Sequence, residues 1–203
     1  MTVKIIIVTV LVSLLAFRNH KLMEKLIFNP YMIAQRREWF RFISSGFIHA
    51  DMIHLFVNMY VLYVFGGMVE NFYLQVFEEK SVLYFALLYI GSLIVSIIPS
   101  YNKHKENYLY NALGASGAVS AVLFAFILFQ PLTTLYLFKI VPIPGIVFGV
   151  LYLAYSFYEA KRAADYVNHE AHFWGAVFGF TFTLIMKPDL LENFIYSITH
   201  FMQ

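Results

Sequence analysis

A serine between two glycines stands at the start of a long apolar run in this chain. The stretch reads Asn111-Ala112-Leu113-Gly114-Ala115-Ser116-Gly117-Ala118, and the apolar run continues to Phe129. A serine hydroxyl becomes a nucleophile when a neighbouring base takes its proton. Small residues also let membrane helices pack closely, and serine is a good helix cap. Taken alone, the stretch is therefore better explained by packing and capping than by chemistry.

Three other polar residues in apolar runs could act with this serine: His54, Asn58 and His172. The first two are four residues apart and so share one helical face. His172 is followed on its own face by Gly175 and Gly179, a spacing that favours close packing against a neighbouring helix. If that neighbour carries Ser116, the imidazole would lie within hydrogen-bond reach of the hydroxyl, which is the geometry of an activated serine.

Each of these polar residues also has a structural explanation. A histidine near the end of a membrane helix can cap the helix or reach the interface, and Asn58 can form a hydrogen bond between helices. His49 and Asp51 lie nearer the membrane surface and are better explained as structural. The stretch His169-Glu170-Ala171-His172 is one residue short of the H-E-x-x-H spacing of a zinc site, so we expect no metal and no cofactor.

The composition is that of an integral membrane protein. Of the 203 residues, 61% are hydrophobic, compared with about 45–50% in a soluble domain. Charged residues make up 13% and fall mostly between the apolar runs, because a charge inside the bilayer costs several kcal/mol. The net charge of +2 gives no reason to expect a nucleic-acid partner. Since cysteine is absent, disulfides, thiolate metal sites and a cysteine nucleophile are excluded.

The apolar runs predict one all-α membrane domain over residues 1–203. An interfacial loop with amphipathic pieces is expected at 18–47 and a surface tail with a short helix at 188–203. Pro142 and Pro144 predict a loop that dips at the interface. The six expected membrane spans are about 4–17, 48–69, 82–98, 113–129, 146–158 and 168–186.

The order of these spans brings the polar residues to one side of the membrane. Consecutive spans alternate in direction, so the N-terminal ends of the second, fourth and sixth spans share one side. At a rise of about 1.5 Å per residue, His54, Asn58, Ser116 and His172 all lie roughly 6–15 Å below that surface. The topology therefore predicts that they can meet.

These motifs resemble those of the rhomboid intramembrane serine proteases, over nearly the whole chain and with the six-helix core of bacterial members. Gly114-Ala115-Ser116-Gly117 is similar to the family's G-x-S-G nucleophile motif. Residues 171–179 are similar to its A-H-x-x-G-x-x-x-G catalytic helix, and residues 54–58 to the H-x-x-x-N of its second helix. His49 fits a further histidine upstream.

The resemblance implies a Ser-His dyad without a carboxylate, in which Ser116 is the nucleophile and His172 its general base. The backbone amide at Ser116 would help to stabilise the oxyanion. The implied activity is hydrolysis of single-span membrane proteins, at or just below the outer membrane surface, through an acyl-enzyme. The oxyanion and substrate-binding site would further include four residues: His54, Asn58, Gly114 and Ala115.

Two positions depart from the family's pattern. Family members usually have a Trp-Arg pair in the first loop, whereas this chain reads Trp39-Phe40-Arg41, so only Arg41 aligns when counted back from His49. Some members carry a tyrosine one turn after the serine that stacks on the catalytic imidazole. Ser120 occupies that position here, which leaves open what orients His172.

The resemblance also implies a bacterial cytoplasmic membrane, with the N-terminus in the cytoplasm and the site open to the outside. The positive-inside rule predicts the opposite orientation. In the orientation that the resemblance implies, ten of the 14 Lys and Arg residues would lie outside. We favour the family topology, since the first loop is expected to fold in the interface, where Glu24 and Glu38 partly offset its basic residues.

Two other functions fit parts of this pattern. A catalytically inactive rhomboid-like protein would bind membrane helices without cleaving them, although such proteins typically lack the serine or the histidine that is present here. An ion or metal transporter could use a relay of four polar residues near one face: His49, Asp51, His54 and His172.

Overall fold

The computed structural model describes residues 1–137, 141–162 and 167–200, which are helical apart from short connections and one hairpin. This helical bundle confirms the predicted all-α fold class. Two 3₁₀ turns, Ser45–Phe47 and Glu78–Lys80, precede α5 and α6. The α-helices are, in chain order, α1 Thr2–Arg18, α2 His20–Leu26, α3 Pro30–Arg36, α4 Arg41–Ser44, α5 Met52–Phe77, α6 Ser81–Val95, α7 Ile98–His104, α8 Ser116–Phe129, α9 Gly145–Arg162, α10 His169–Met186 and α11 Leu190–Thr199.

Helix α8 forms the centre of the bundle. Residues 117–128 of this helix are all buried, by α5, α6, α9 and α10 among others. A helix that is apolar around its whole circumference must be enclosed by other helices or by lipid. The helix that begins at Ser116 is therefore fixed on every side, which makes its first turn a rigid place for a reactive group.

Helices α8 and α10 pack backbone against backbone, and glycine makes this possible. A methyl group added at Gly175 would overlap the Gly117 carbonyl, and one added at Gly179 would overlap the backbone of Ala121. The predicted close packing of the Gly175-x-x-x-Gly179 face therefore occurs, and its partner is the helix of Ser116.

A helix lies in each of the six predicted spans, and several helix ends differ from the predicted limits of the spans. Helix α5 begins at Met52 rather than at 48, because the Asp51 side chain caps it by accepting the His54 N–H at 2.8 Å. It also continues past 69 to Phe77, since its buried face extends to Tyr73. Helix α6 ends at 95 rather than 98, α8 begins at 116 rather than 113, and α9 continues to 162 rather than 158.

The connection between α8 and α9 forms an antiparallel hairpin of β1 (Thr134–Leu137) and β2 (Val141–Pro144). Thr134 lies opposite Pro144. The predicted loop at Pro142 and Pro144 is thus a hairpin, and a proline is tolerated on an edge strand, where its missing N–H costs no ladder hydrogen bond. Lys139, one of the basic residues in the charge comparison, lies outside the described residues.

The first loop is folded around Arg41. This guanidinium is buried, with 4% of the residue exposed, and Nε donates to Glu38 Oε2 at 2.6 Å. Nη1 donates to the carbonyls of Glu24 and Ile27 at 2.8 and 2.7 Å. Hydrogen bonds to a charged donor are the stronger kind. Arg41 therefore joins α2, the chain after it and the start of α4 into one unit.

The surface of the bundle carries large apolar side chains. Ile53, Phe56 and Leu15 are 77%, 68% and 61% exposed. Such exposure is expected where lipid rather than water surrounds the protein. Among the described residues, the stretch Met52–His104, which contains α5, α6 and α7, is long and apolar enough to cross a membrane, and α8 is a shorter apolar helix.

Candidate active site

Ser116 and His172 are in hydrogen-bond contact at the N-terminal ends of α8 and α10. His172 Nε2 lies 2.7 Å from Ser116 Oγ. Ser116 is the first residue of its helix, and His172 lies in the first turn of a helix that begins at His169. When the hydroxyl donates, Nε2 is the unprotonated acceptor, which is the starting arrangement for proton transfer from a serine to an imidazole.

The start of α10 is anchored by Asn168. Its Oδ1 accepts the Ala171 N–H at 3.0 Å, which caps the helix. Its Nδ2 donates to Ser100 Oγ in α7 at 3.2 Å, and Ser100 in turn donates to Glu170 Oε2 at 3.0 Å. The turn that carries His172 is therefore fixed both by its own cap and by a neighbouring helix.

The turn before Ser116 requires glycine for two reasons. Gly114 has a φ of +114°, a conformation that L side chains rarely adopt. A methyl group at this position would also lie 2.7 Å from Cε1 of His54. The Gly114 N–H donates to the Ser45 carbonyl at 2.9 Å, which fixes the turn. The sequence prediction placed Gly114 in the site, and here it supports the His54 ring directly.

His49 supports the same turn from the other side. The Ser13 hydroxyl donates to the Phe47 carbonyl at 3.0 Å, so its oxygen accepts from His49 Nδ1 at 3.1 Å. His49 Nε2 then accepts the Ala115 N–H at 3.4 Å. These contacts require a neutral imidazole and give His49 a structural part, which was the preferred explanation from the sequence.

The backbone amides before the serine are therefore already in use. Gly114 donates to Ser45, and Ala115 donates to His49. The first intrahelical hydrogen bond of α8 runs from Val119 N–H to the Ala115 carbonyl at 2.9 Å. The amide of Ser116 belongs to the first turn, where N–H groups have no intrahelical acceptor and the helix dipole is positive. This amide is thus a backbone donor available to a developing negative charge.

His54 and Asn58 approach the dyad from α5. Asn58 is buried, and its Nδ2 donates to the His54 carbonyl one turn earlier at 2.9 Å. The His54 ring meets the His49 ring edge to face, with 5.0 Å between centroids. Both side chains line the same cavity as Ser116 and His172. The structure thus brings together all four polar residues that the sequence analysis placed at one depth.

The cavity in front of the dyad has a volume of about 780 Å³. Its wall is mostly apolar, with residues from α5, α8 and α9, and its polar lining includes Ser116 and His172. Binding sites with a few convergent polar groups in an apolar wall are typical of sites for apolar ligands. The apolar part of the wall includes Val57, Val61, Val119, Leu123 and Phe148.

Sequence patterns did not single out Tyr152, which also lies in this site. Its ring is nearly parallel to that of His172, at 23°, with centroids 6.3 Å apart. Its hydroxyl lies 2.6 Å from Ser120 Oγ. A signal was available, because the small residues Gly149 and Ser156 stand three and four positions from Tyr152 and mark the buried face of α9.

The metal-site alternative gains no support from the described ranges, where no group of three or more His, Asp or Glu side chains could hold a metal ion. His169 and His172 meet edge to face, with ring centroids 5.7 Å apart, and His169 also meets the Tyr155 ring edge to face. The short His-Glu-Ala-His stretch thus places its two imidazoles against each other as packed rings.

Comparison with known proteins agrees with the motifs. A profile described as the Rhomboid domain matches residues 36–189. The chain is 30% identical over 144 residues to RHOMBOID-like protein 12, mitochondrial, of Arabidopsis thaliana, an alignment that covers 66% of this chain and 42% of that protein. It is 32% identical over 147 residues to Presenilin-associated rhomboid-like protein A, mitochondrial, of Danio rerio, with coverage of 68% and 35%.

The chain spans less than half the length of either relative. Both relatives are mitochondrial by name, whereas the sequence prediction named a bacterial type, so the comparisons support the family without that subdivision. The Rhomboid profile covers more than half of the chain and includes every residue of the Ser116–His172 site. On these grounds the chain belongs to the rhomboid family of membrane proteins.

Proposed function

We propose that this protein is an intramembrane serine endopeptidase with Ser116 as nucleophile and His172 as general base. The observation that carries the proposal is the 2.7 Å contact between Ser116 Oγ and His172 Nε2, at the wall of a large apolar cavity. A structural serine at a helix start would need neither an imidazole at this distance nor a cavity in front of it.

In the first half of the reaction, Ser116 Oγ attacks the carbonyl carbon of the scissile peptide bond. The hydroxyl proton passes to His172 Nε2 as the new C–O bond forms. Collapse of the tetrahedral intermediate breaks the C–N bond, and the imidazolium returns its proton to the departing amine. The products of this half are an acyl-enzyme on Ser116 and a free amine.

In the second half, water replaces the amine. His172 takes one proton from the water as the water oxygen attacks the ester carbonyl. His172 then returns that proton to Ser116 Oγ as the acyl group leaves. The enzyme regains its starting state, and a carboxylic acid is released. One imidazole therefore serves as base and acid in turn.

Negative charge on the substrate oxygen would be stabilised by His54, Asn58 and the amide of Ser116. Their support is positional: both side chains line the cavity beside the dyad, and the amide lies at the positive end of α8. Preorganised donors of this kind often make the largest catalytic contribution, and loss of one typically costs ~10²–10³ in rate. Gly114 and Ala115 would shape the turn that presents this amide.

The proposed substrates are single-span membrane proteins. The apolar wall of the cavity suits a membrane helix, whereas the polar side chains that also line it suit a carbonyl that has left the helical hydrogen-bond pattern. A helix must unwind to expose such a carbonyl. Substrates with small or helix-breaking residues close to the membrane surface on the side of the dyad are therefore favoured.

We further propose six membrane spans, formed by α1, α5, α6, α8, α9 and α10, in a bacterial cytoplasmic membrane. The N-terminus would lie in the cytoplasm and the dyad near the outer face. Of the ten basic residues that this orientation places outside, Arg41 counts less as a topological signal, because its guanidinium is buried and bonded within the first loop. Protease accessibility of terminal tags in intact cells measures the orientation, and an external N-terminus would refute it.

Cleavage of a purified single-span test substrate in detergent or liposomes tests the proposed function. Ser116→Ala and His172→Ala should each abolish cleavage while thermal unfolding stays close to that of the wild type. Cleavage by Ser116→Ala at the wild-type rate would end the proposal. A wild-type protein that captures the substrate without cutting it would instead support the inactive, helix-binding alternative.

A further inference from the structure

We propose that Tyr152 is the positioning residue that orients His172, and that it acts from α9 rather than from the helix that carries Ser116. The inference rests on the proposed function, because an imidazole needs a fixed orientation only if it exchanges protons with the serine. It answers the question that Ser120 raises, since a serine at that position has no ring to place against the imidazole.

The first step of the argument is the ring contact. The rings of Tyr152 and His172 are 23° from parallel, with centroids 6.3 Å apart, within the range of about 4.5–7 Å over which aromatic pairs attract each other. A flat neighbour alongside the imidazole opposes its rotation out of plane. The ring of Tyr152 therefore favours the rotamer in which Nε2 points to Ser116.

The second step is the hydrogen-bond chain that holds the tyrosine. Ser120 Oγ donates its proton to the Ser116 carbonyl at 2.8 Å. Its oxygen is then the acceptor for the Tyr152 hydroxyl at 2.6 Å. The chain runs from Tyr152 through Ser120 to the backbone of Ser116 itself. The same side chain thus contacts His172 through its ring and is linked to Ser116 through its hydroxyl and Ser120.

The third step is the packing of the tyrosine ring. Phe124 of α8 and Phe148 of α9 contact it, with centroid distances of 5.7 and 5.9 Å. Tyr152 stands on the face of α9 that includes the buried residues Gly149 and Ser156. The position of the ring therefore depends on how α9 packs against α8. Alignment of the dyad follows from a contact between two helices, and displacement of α9 would remove the ring and the hydrogen bond together.

Two substitutions separate the contributions of the ring and the hydroxyl. Tyr152→Phe keeps the ring and loses the hydrogen bond to Ser120, whereas Tyr152→Leu loses both. Ser120→Ala removes the acceptor while leaving the tyrosine in place. Tyr158→Leu is the matched control, since Tyr158 lies on the same helix and is 62% exposed.

The resting protein offers the first readout. In protein labelled with ¹⁵N-histidine, the signal of His172 Nε2, identified by its loss in His172→Ala, should have the shift of a hydrogen-bonded imidazole nitrogen. Tyr152→Leu should move and broaden that signal, and Tyr158→Leu should leave it unchanged. A His172 signal that is the same in Tyr152→Leu and wild type would overturn the inference. This comparison does not require turnover, so it decides the inference even if the wild type fails to cleave and the proposed function falls.

Cleavage kinetics provide the second readout. Tyr152→Leu should lower kcat by at least about tenfold and change the pH profile of kcat, as expected for a base that is no longer held in line. Tyr152→Phe and Ser120→Ala should each lower kcat by a similar, smaller factor. The double variant Tyr152→Phe/Ser120→Ala should lose no more activity than the worse single variant, because both substitutions break the same hydrogen-bond chain. Additive losses, or a change in KM with kcat and its pH profile unaltered, would make Tyr152 a residue of the cavity wall and overturn the inference.

Discussion

At the scale of single residues, the geometry of the site requires a glycine at position 114. Its backbone conformation and its contact with the His54 ring both exclude a side chain. Backbone strain of this kind costs of order 1–3 kcal/mol. The residue also directly precedes the pair Ala115-Ser116, so any relaxation of the turn moves the nucleophile and the amide beside it.

We predict that Gly114→Ala lowers the rate of substrate cleavage by ~10² or more. A misplacement of about 1 Å in a reacting group is enough for a loss of that size. Gly67→Ala is the matched control, because a methyl group there would meet nothing within 4 Å. That variant should retain the wild-type rate, and its helix should be up to about 1 kcal/mol more stable. Equal activity in the two variants would show that the turn at Gly114 tolerates a side chain.

The residue types of the site and the approach of His172 to Ser116 were accessible from the sequence, whereas two supporting contacts were not. Ser116 and His172 stood out because polar residues are rare in apolar runs. The part played by His49 depends on Ser13, a residue of α1 that no pattern connects to it. Tyr152 looked like any other aromatic residue of a membrane helix. The small residues Gly149 and Ser156 mark the buried face of α9, but the partners of His49 and Tyr152 on other helices could be found only in three dimensions.

At the scale of elements, the contact between α8 and α10 determines whether a dyad exists. Gly175 and Gly179, about one turn apart, bring the two backbones together at two points. The sequence predicted this contact because the small-x-x-x-small spacing has a direct steric meaning. The contact places the first turns of both helices, and hence the serine and the imidazole, side by side.

Gly179→Ala tests this contact away from the reacting atoms. We predict a loss of about 1–3 kcal/mol in the free energy of unfolding, because the new methyl group would overlap the backbone of Ala121. Cleavage should fall with it, since α10 must shift away from α8. Unfolding in detergent measures the first effect and substrate cleavage the second. Full activity and stability in Gly179→Ala would mean that α10 can withdraw without disturbing the dyad.

The ends of the elements were the least predictable part of the fold. Helix α5 extends through polar residues after 69, because burial of Tyr73 outweighs the polarity of its neighbours. The strands of the β1–β2 hairpin were not predicted, since its two prolines argued for a loop rather than a helix and said nothing about strand pairing. In both cases tertiary packing decides where local preference is ambiguous.

At the scale of the whole molecule, alternation of the helices accounts for the site. Helices α5, α8 and α10 run the same way, so residues near their starts share one level, and the cavity in front of Ser116 opens among them. The sequence predicted this arrangement from the order of the apolar runs alone. It could not predict the cavity, whose wall depends on the tilt and side-chain packing of α9.

The central claim is that Ser116 is an activated nucleophile, and labelling by a fluorophosphonate probe measures this most directly. The probe reacts with a serine whose proton is accepted by a neighbouring base. We predict that mass spectrometry of the labelled wild-type protein places the adduct on Ser116, and that Ser116→Ala and His172→Ala are not labelled. Absence of label on the folded wild type, or equal labelling of Ser116→Ala, would contradict the claim.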